Sequence, residues 1–370
     1  MSPDVIVIGG GIAGLATARH LALLGARTCL LEREPLLAAH SSGRNAAVFR
    51  QIDGDLTAAR LAQRTRQLLG ELGPGLLAPT GAVYVGEIEK LATVATQVGV
   101  ACERLDAATL RHRVPLLESG DAPGGLFFPD DGVLDLHALV GALARGAERR
   151  TRTAVRSLKV RAGRVEGVIL ESGEALLAPK VVMAAGAWTA ELGRASGVPL
   201  PIEPRRRHLA MLVSDAAPVS GPVVWRLGEE VYFQPETGGV LASPCDEQPW
   251  APGIPPTEPE VLLQLAQRLS RFAPKLAQAS VRSAWACLRS FAPDGGLVAG
   301  IDPRLEGLTW VAGLGGRGMS CGLGLGEVAA AVALGQAHEL AEVLSPARLR
   351  LPATGDFAAL PAGSGMAGAV

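Results

Sequence analysis

The first residues able to do chemistry stand in Gly9-Gly10-Gly11-Ile12-Ala13-Gly14, which fits GxGxxG with Gly9, Gly11 and Gly14 in the motif places. Gly9 allows a tight turn, Gly11 lets a pyrophosphate approach the backbone, and Gly14 lets helix and strand pack closely. A helix starting at Ile12 and Ala13 turns free N–H groups and a positive dipole end toward phosphates. Glu32 ends the next strand and can accept hydrogen bonds from a ribose diol; an acid there disfavours a 2′-phosphate and hence NADP. With strand, glycines, helix, strand and terminal carboxylate all in order, the unit reads as a dinucleotide site, although NAD and FAD are not separated by it. A second glycine-rich run, Gly313 to Gly318, precedes a helical stretch and offers another positive dipole end. Lys90, Lys159, Lys180 and Lys275 are the only lysines, which makes arginine the default carrier of any anion site. The cysteines (Cys29, Cys102, Cys245, Cys287 and Cys321) stand far apart with no CxxC and no metal spacing, which suits reduced intracellular thiols.

These residues need a sheet to hold them. Residues 5–9 are an apolar run suited to a buried parallel strand; a helix is expected over 12–24, closed by Gly25, and a second strand over 27–32. Periodicity predicts helices over 61–72, 134–148, 258–269 and 324–334 and strands over 81–85 and 180–185. A small hairpin is expected over 160–177, turning at Glu171-Ser172-Gly173, with short β segments over 223–241. Residues 351–370 are rich in Ala, Gly and Pro and read as a disordered tail. A chain of 370 residues exceeds one comfortable core, so two domains are expected. A net charge of -1 advertises no nucleic-acid partner, and no stretch reaches the roughly 20 apolar residues of a membrane span. Asp4 and Arg19-His20 argue against a signal peptide, so the expectation is a cytoplasmic protein.

Downstream segments carry a resemblance. Glu32-Arg33-Glu34 followed by His40-Ser41-Ser42-Gly43-Arg44-Asn45-Ala46-Ala47 resembles the flavin-contacting loop of the D-amino-acid oxidase (DAO) superfamily, which includes glycine oxidase, sarcosine oxidase and D-amino-acid dehydrogenases. Ala184-Ala185-Gly186-Ala187-Trp188 resembles its third FAD segment. The stretch from Trp285 to Asp294, with Val311 to Gly318, resembles its C-terminal signature. The resemblance covers about residues 3 to 335 and implies an FAD flavoprotein. Its implied fold is α/β: a Rossmann-like FAD-binding domain (1–78, 132–203 and 292–350) with a β-rich, α+β substrate domain inserted (79–131 and 204–291), the glutathione-reductase-2-like arrangement. Implied cofactor contacts are Gly9, Gly11, Ile12, Ala13, Gly14, Glu32, Arg33, Ser41, Ser42, Gly43, Arg44, Asn45, Ala46 and Ala47. Ala185, Gly186, Trp188, Gly313, Gly315, Gly316, Gly318 and Met319 complete that set.

The implied activity is oxidation of an amino acid, preferentially a D-amino acid, by hydride transfer from Cα to flavin, giving an imino acid and then a 2-oxo acid and ammonia. Oxygen or another acceptor would take the electrons. Such chemistry needs positioning more than acid–base machinery, and a bidentate arginine is the natural carboxylate clamp. Arg289 matches the family's carboxylate-binding arginine, and Tyr232 a tyrosine that supports it. Arg207 matches another arginine of the D-arginine dehydrogenase pocket, or else belongs to a solvated cluster with Arg205 and Arg206. His40-to-Ala47, Val231-to-Glu236 and Cys287-to-Gly300 are most similar to D-arginine dehydrogenases, yet no acid stands between Leu77 and Val83, and Ala82 holds the aligned place. Val48, Arg50 and Asp53 also replace the types seen around that pocket, so arginine is not carried over as substrate. Arg50 resembles a carboxylate-holding arginine of sarcosine oxidases and would favour small or acidic amino acids. Cys287 falls where sarcosine oxidases bond the flavin covalently, but reads first as a small buried residue, leaving the FAD non-covalent; His40 reads as a hydrogen-bonding loop residue. No lysine lies between Lys180 and Lys275, which leans away from a lysine-assisted oxidase toward a dehydrogenase. Alternatives are a secondary-amine oxidase, a 2-hydroxy-acid dehydrogenase, and a non-catalytic flavin-binding subunit, against which Arg289 and Tyr232 argue.

Overall fold

The computed structural model describes residues 2–117, 122–215, 220–276 and 278–351; the expected tail from 352 onward lies outside them. Val5–Ile8, a β-branched run with every residue buried, is paired in parallel on both edges, which is what a strand with no polar face requires. It sits inside a six-stranded sheet ordered Val298–Ile301, Leu308–Ala312, Lys180–Met183, Val5–Ile8, Thr28–Leu31 and Glu148–Arg150. Only Val298–Ile301 runs antiparallel. The register sets Val5 level with Thr28 and with Lys180, so Gly9, Glu32 and Ala184 all emerge at the same edge of the sheet. Ligands in such sheets bind outside the carboxyl ends of the strands.

Two helices cover this sheet at unusually close range. The helix Ile12–Leu23 ends at Leu24 and Gly25, which takes a φ of 87°, as expected for a C′ glycine. Against it lies Gly318–Ala333, which begins well before the expected 324. The glycines of this helix are contact points. A Cβ on Gly326 would sit 2.6 Å from Ala16 Cβ, one on Gly322 2.9 Å from Ile12 Cγ2, and one on Gly324 2.7 Å from Leu61 O. The gain in packing offsets the roughly 1 kcal/mol helix penalty of each glycine.

Other boundaries also move for local reasons. The helix expected from 61 starts at Leu56, because the Asp55 side chain caps it by accepting from the Ala58 N–H at 2.7 Å. The helix expected over 134–148 is Leu136–Leu143; Gly146, with a φ of 95°, turns the chain so that Glu148–Arg150 becomes the outer strand beside Thr28–Leu31. The expected hairpin is a three-stranded meander of Val155–Arg161, Arg164–Leu170 and Ala175–Leu177, its first turn made at Ala162-Gly163.

A second, nine-stranded sheet draws on Ala82–Val85, Glu103–Asp106 and Gly124–Phe128, and on the strands from Glu203–Val213 to Ser280–Phe291. Its longest pairing is antiparallel, Glu203–Val213 with Ser280–Phe291, setting Arg205 opposite Arg289 and Arg207 opposite Cys287. The amphipathic helix Pro259–Phe272 packs Leu265, Leu269 and Phe272 into the core beneath this sheet. A small sheet of Val48–Phe49, Gly132–Leu134 and Leu77–Ala78 holds the segment that leads to Arg50. Among the described residues no helix is long and apolar enough to cross a membrane.

Candidate active site

At the carboxyl edge of the six-stranded sheet a cavity of about 510 Å³ opens between Gly9, Glu32, Ser42 and Trp188. Gly9 takes a φ of 107°, and a Cβ there would sit 2.4 Å from Ala184 O. At Gly14 a Cβ would sit 1.9 Å from Gly9 O, which is the helix-on-strand contact expected for the third motif glycine. Gly11 differs: its only near neighbour is Ser42 Oγ at 3.2 Å, so the missing side chain leaves open the backbone that faces the cavity. Glu32 is held on both oxygens, Oε2 accepting from the Gly10 N–H at 2.6 Å and Oε1 from the Glu34 N–H at 2.8 Å. An anion cradle and an anchored carboxylate on one wall fit a dinucleotide.

The loop after Glu32 is stapled to the helix Ile12–Leu23 and to the second sheet. Ser42 Oγ accepts from the Ile12 N–H at 3.0 Å, and Ser41 Oγ donates to Leu288 O at 2.7 Å. Asn45 Nδ2 donates to the carbonyls of Ser41 and Ser42, while its Oδ1 accepts from the Ala47 N–H. Gly43 packs on Ala38 O, where a Cβ would lie at 2.2 Å, and the Arg44 guanidinium donates to Ala286 O at 3.2 Å. Of the expected cofactor set, Gly14, Gly43, Arg44 and Ala47 therefore support the wall; Gly9, Gly11, Glu32, Arg33, Ser41, Ser42, Ala185, Gly186 and Trp188 line it. His40 contacts Glu34 Oε1 at 2.9 Å and leans on Trp188, whose ring also lies under Arg33. Thr153, Ala154 and Glu171 complete the far wall and were not anticipated, because their place depends on the strand Glu148–Arg150 pairing with Thr28–Leu31.

A second cavity shares Gly11, Ser41, Ser42, Ala184 and Gly186 with the first, so the two form one cleft. Ile12, Ala13, Asn45, Ala46, Gly313, Gly315, Gly316, Gly318 and Met319 line it. Gly313, Gly315 and Gly316 all have positive φ, and a Cβ on Gly316 would meet Arg207 Nη1 at 3.4 Å and Arg289 Cδ at 3.8 Å. Arg50, Arg207, Arg289, Tyr232 and Val48 converge on this cavity; Asp53 does not line it and stands behind, 3.7 Å from Arg50 and from Arg317. Ala82 is buried in the sheet away from the cavity wall.

Arg289 is 8% exposed, and its Nη1 donates to Leu288 O at 3.0 Å and Cys287 Sγ at 2.9 Å. Among the described residues no carboxylate pairs with it. The run Arg205-Arg206-Arg207 is not a solvated cluster, since strand alternation divides it. Arg206 is fully buried over Trp250 and paired with Glu258, whereas Arg207 reaches the cavity and pairs with Glu247. Tyr232 stacks on Trp225 with centroids 4.6 Å apart, and burial pushes its phenol well above the ordinary value, keeping it a neutral donor. Arg50 lies over the other partner of that stack, 4.5 Å from the Trp225 centroid. Cys287 is buried against Arg44 O and lines a small side crevice with His40 and Arg44 rather than the main cleft.

Behind Arg50 lies a carboxyl that no spacing announced. Asp131 is fully buried, accepting from the Gln51 N–H at 3.0 Å, from Gln51 Nε2 at 3.2 Å and from the Tyr84 hydroxyl at 3.4 Å. Burial pushes it up to about 7.

A model of the DAO family, described as FAD dependent oxidoreductase, matches residues 4–332. The chain is 28% identical over 361 residues to the mitochondrial sarcosine dehydrogenase of Mus musculus, covering 88% of this chain and 39% of that protein. It thus spans well under half the length of that curated relative. Among solved structures, L-proline dehydrogenase from P. horikoshii superposes with a TM-score of 0.86 at 22% identity, covering 94% of this chain and 98% of the other. Glycine oxidase from Geobacillus kaustophilus superposes with a TM-score of 0.79 at 22% identity, covering 93% and 98%. These likenesses confirm the α/β fold with its parallel sheet.

Proposed function

The chain belongs to the DAO family of FAD-dependent oxidoreductases, and from that premise we propose that it oxidises an amino acid or N-alkyl amino acid at the Cα–N bond. The observation that carries this reading is Arg289: a guanidinium buried in a cavity continuous with the dinucleotide cleft and matched by no carboxylate of the described chain. A buried cation without a counterion is costly, and a substrate carboxylate bound bidentately would relieve it. Gly9, Gly11, Glu32, Arg33, Ser41 and Ser42 would hold the ADP half of FAD, and Gly313 to Met319 the ring, without a covalent link. Bound FAD supplies a two-electron acceptor for the hydride leaving Cα as the amine lone pair closes the C=N bond, and oxygen or another acceptor then takes the electrons.

The chain's own residues bind, orient and tune. Arg289 and the neutral Tyr232 hydroxyl fix the carboxylate end, and the positions of Val48 and Trp225 limit where the side chain can go. Arg50 and Arg289 place positive charge about the amine, which lowers its pKa and favours the neutral form that hydride loss requires. Water then hydrolyses the released imine to a 2-oxo acid and ammonia, or the parent amine. The likeness of residues 40–47 and 287–300 to D-arginine dehydrogenases supports a D-amino acid.

Anaerobic mixing of the holoenzyme with paired D- and L-amino acids and their N-methyl derivatives tests this. We expect flavin bleaching by carboxylate-bearing amines, D forms ahead of L. Arg289→Gln should lower kcat/KM by about 30-fold or more while retaining FAD, the cost of a lost buried charge pair. Absence of bleaching by every amine would overturn the reading, and faster bleaching by L forms would overturn its D component.

A further inference from the structure

The cleft carries more positive charge than one carboxylate can answer. Arg207 is neutralised within the protein, because Glu247 pairs with it and Glu203 and Glu247 together serve Arg205. Arg289 has no carboxylate partner among the described residues. Asp53 is shared between Arg50 and Arg317 at 3.7 Å from each, too long for a hydrogen bond to either, so one positive charge of that trio is left over. Of the other carboxyls acting on Arg50, Glu230 is exposed and already accepts from the Trp225 indole N–H at 3.1 Å, and Asp131 is fully buried, engaged by Gln51 and Tyr84 and pushed up to about 7 by its burial. One unanswered guanidinium charge, Arg289 on Ser280–Phe291, and one only partly answered, Arg50 just after Val48–Phe49, therefore face one cavity from separate elements. Arg50 is also prepositioned. Its backbone N–H donates to Ser320 Oγ at 3.0 Å, and its guanidinium rests on the Trp225–Tyr232 stack.

Resting on the amine-oxidation reading, we propose that the substrate is an amine carrying two carboxylates, one held by Arg289 beside the reacting carbon and the other by Arg50. Each charge is then matched by one charge-assisted hydrogen-bonded pair, and a substrate with a single carboxylate leaves the half-buried Arg50 with only its share of Asp53. Arg50 acts as a specificity determinant, selecting acidic over neutral amines.

The test uses the FAD holoenzyme with iminodiacetate and aspartate against N-methylglycine and alanine, reading kcat/KM for anaerobic flavin reduction. Dead-end titrations with malonate and with acetate are followed by the flavin absorbance. We expect the dicarboxylic amines to be favoured by about tenfold or more, the span of one hydrogen bond to a charged group. Malonate should bind more tightly than acetate by a similar factor. In Arg50→Gln both ratios should collapse toward one, and Arg50→Lys should restore part of each. Equal kcat/KM for the two substrate classes in the wild-type enzyme, or ratios that persist in Arg50→Gln, would overturn the proposal. If no amine reduces the flavin, the amine-oxidation reading falls alone, and the malonate-to-acetate ratio still decides whether a second carboxylate site exists.

Discussion

At the Gly9 end the cleft is walled by backbone and by side chains fastened to nearby backbone, with Glu32 fixed by Gly10 and Glu34 and Ser42 by Ile12. At the Arg289 end it is walled by guanidinium groups and aromatic rings from strands far apart in sequence, with Arg207 on Glu203–Val213, Tyr232 on Val231–Glu236 and Arg289 on Ser280–Phe291. The first end is shaped to a phosphate chain that every member of a cofactor class shares. The second is shaped by charge, and charge is what separates one amine from another. On the proposed function, retaining cofactor and choosing substrate are thus separable properties of one cleft.

The largest effect should come from breaking the backbone end. Gly14→Ala places a methyl group 1.9 Å from Gly9 O, a contact that only displacement of helix or strand can relieve. We expect the protein to purify without flavin, read as FAD per chain, whereas Arg289→Gln keeps its flavin. Equal FAD content in both variants would erase the distinction between the ends.

Asp131→Asn sharpens the other side. Its carboxyl, raised to about 7, stays protonated in the folded chain while the unfolded one ionises near 3.8. Unfolded chains then bind fewer protons than folded ones, so this group's contribution is fully present below pH ~4 and is lost as pH rises through about 7. The loss is on the order of 4 kcal/mol at alkaline pH, from about three pKa units at 1.36 kcal/mol each. An asparagine still accepts from Gln51 and does not ionise. Urea unfolding across this pH range should show the variant gaining on the wild type as pH rises; a constant difference would mean that Asp131 ionises normally.

A smaller effect is expected at Glu32. Glu32→Gln keeps one acceptor and turns an amide NH₂ toward the Gly10 or Glu34 N–H, costing about 2 kcal/mol of charged hydrogen bonding. FAD reconstitution of the apoprotein should weaken by about 30-fold, with the D-to-L and acidic-to-neutral preferences unaltered.

Legibility follows the same division. The unit from Val5 to Glu32 could be read nearly residue by residue, and the glycine run at 313–318 was recognisable as a loop preceding a helix. The helix Gly318–Ala333 was read short, because glycines that break a solvated helix permit close packing in a buried one. The Asp55 cap starts the helix at Leu56, ahead of the apolar repeat from Leu61 that periodicity picks out. Asp131 and the far wall at Thr153, Ala154 and Glu171 had no local signature at all.

By itself the sequence determined the dinucleotide cradle, since glycine conformation, helix polarity and strand burial act over a few residues and leave one arrangement of that unit. Only the tertiary structure decided which arginines face the cleft and which charges they keep. Arg206 and Arg207 are neighbours in sequence, but a strand sends them to opposite faces, and a slip of one residue in the pairing with Ser280–Phe291 would exchange them. The net charge of the site is therefore a property of register and of distant partners, such as Glu247 for Arg207 and Arg317 beside Asp53, which composition counts but cannot place.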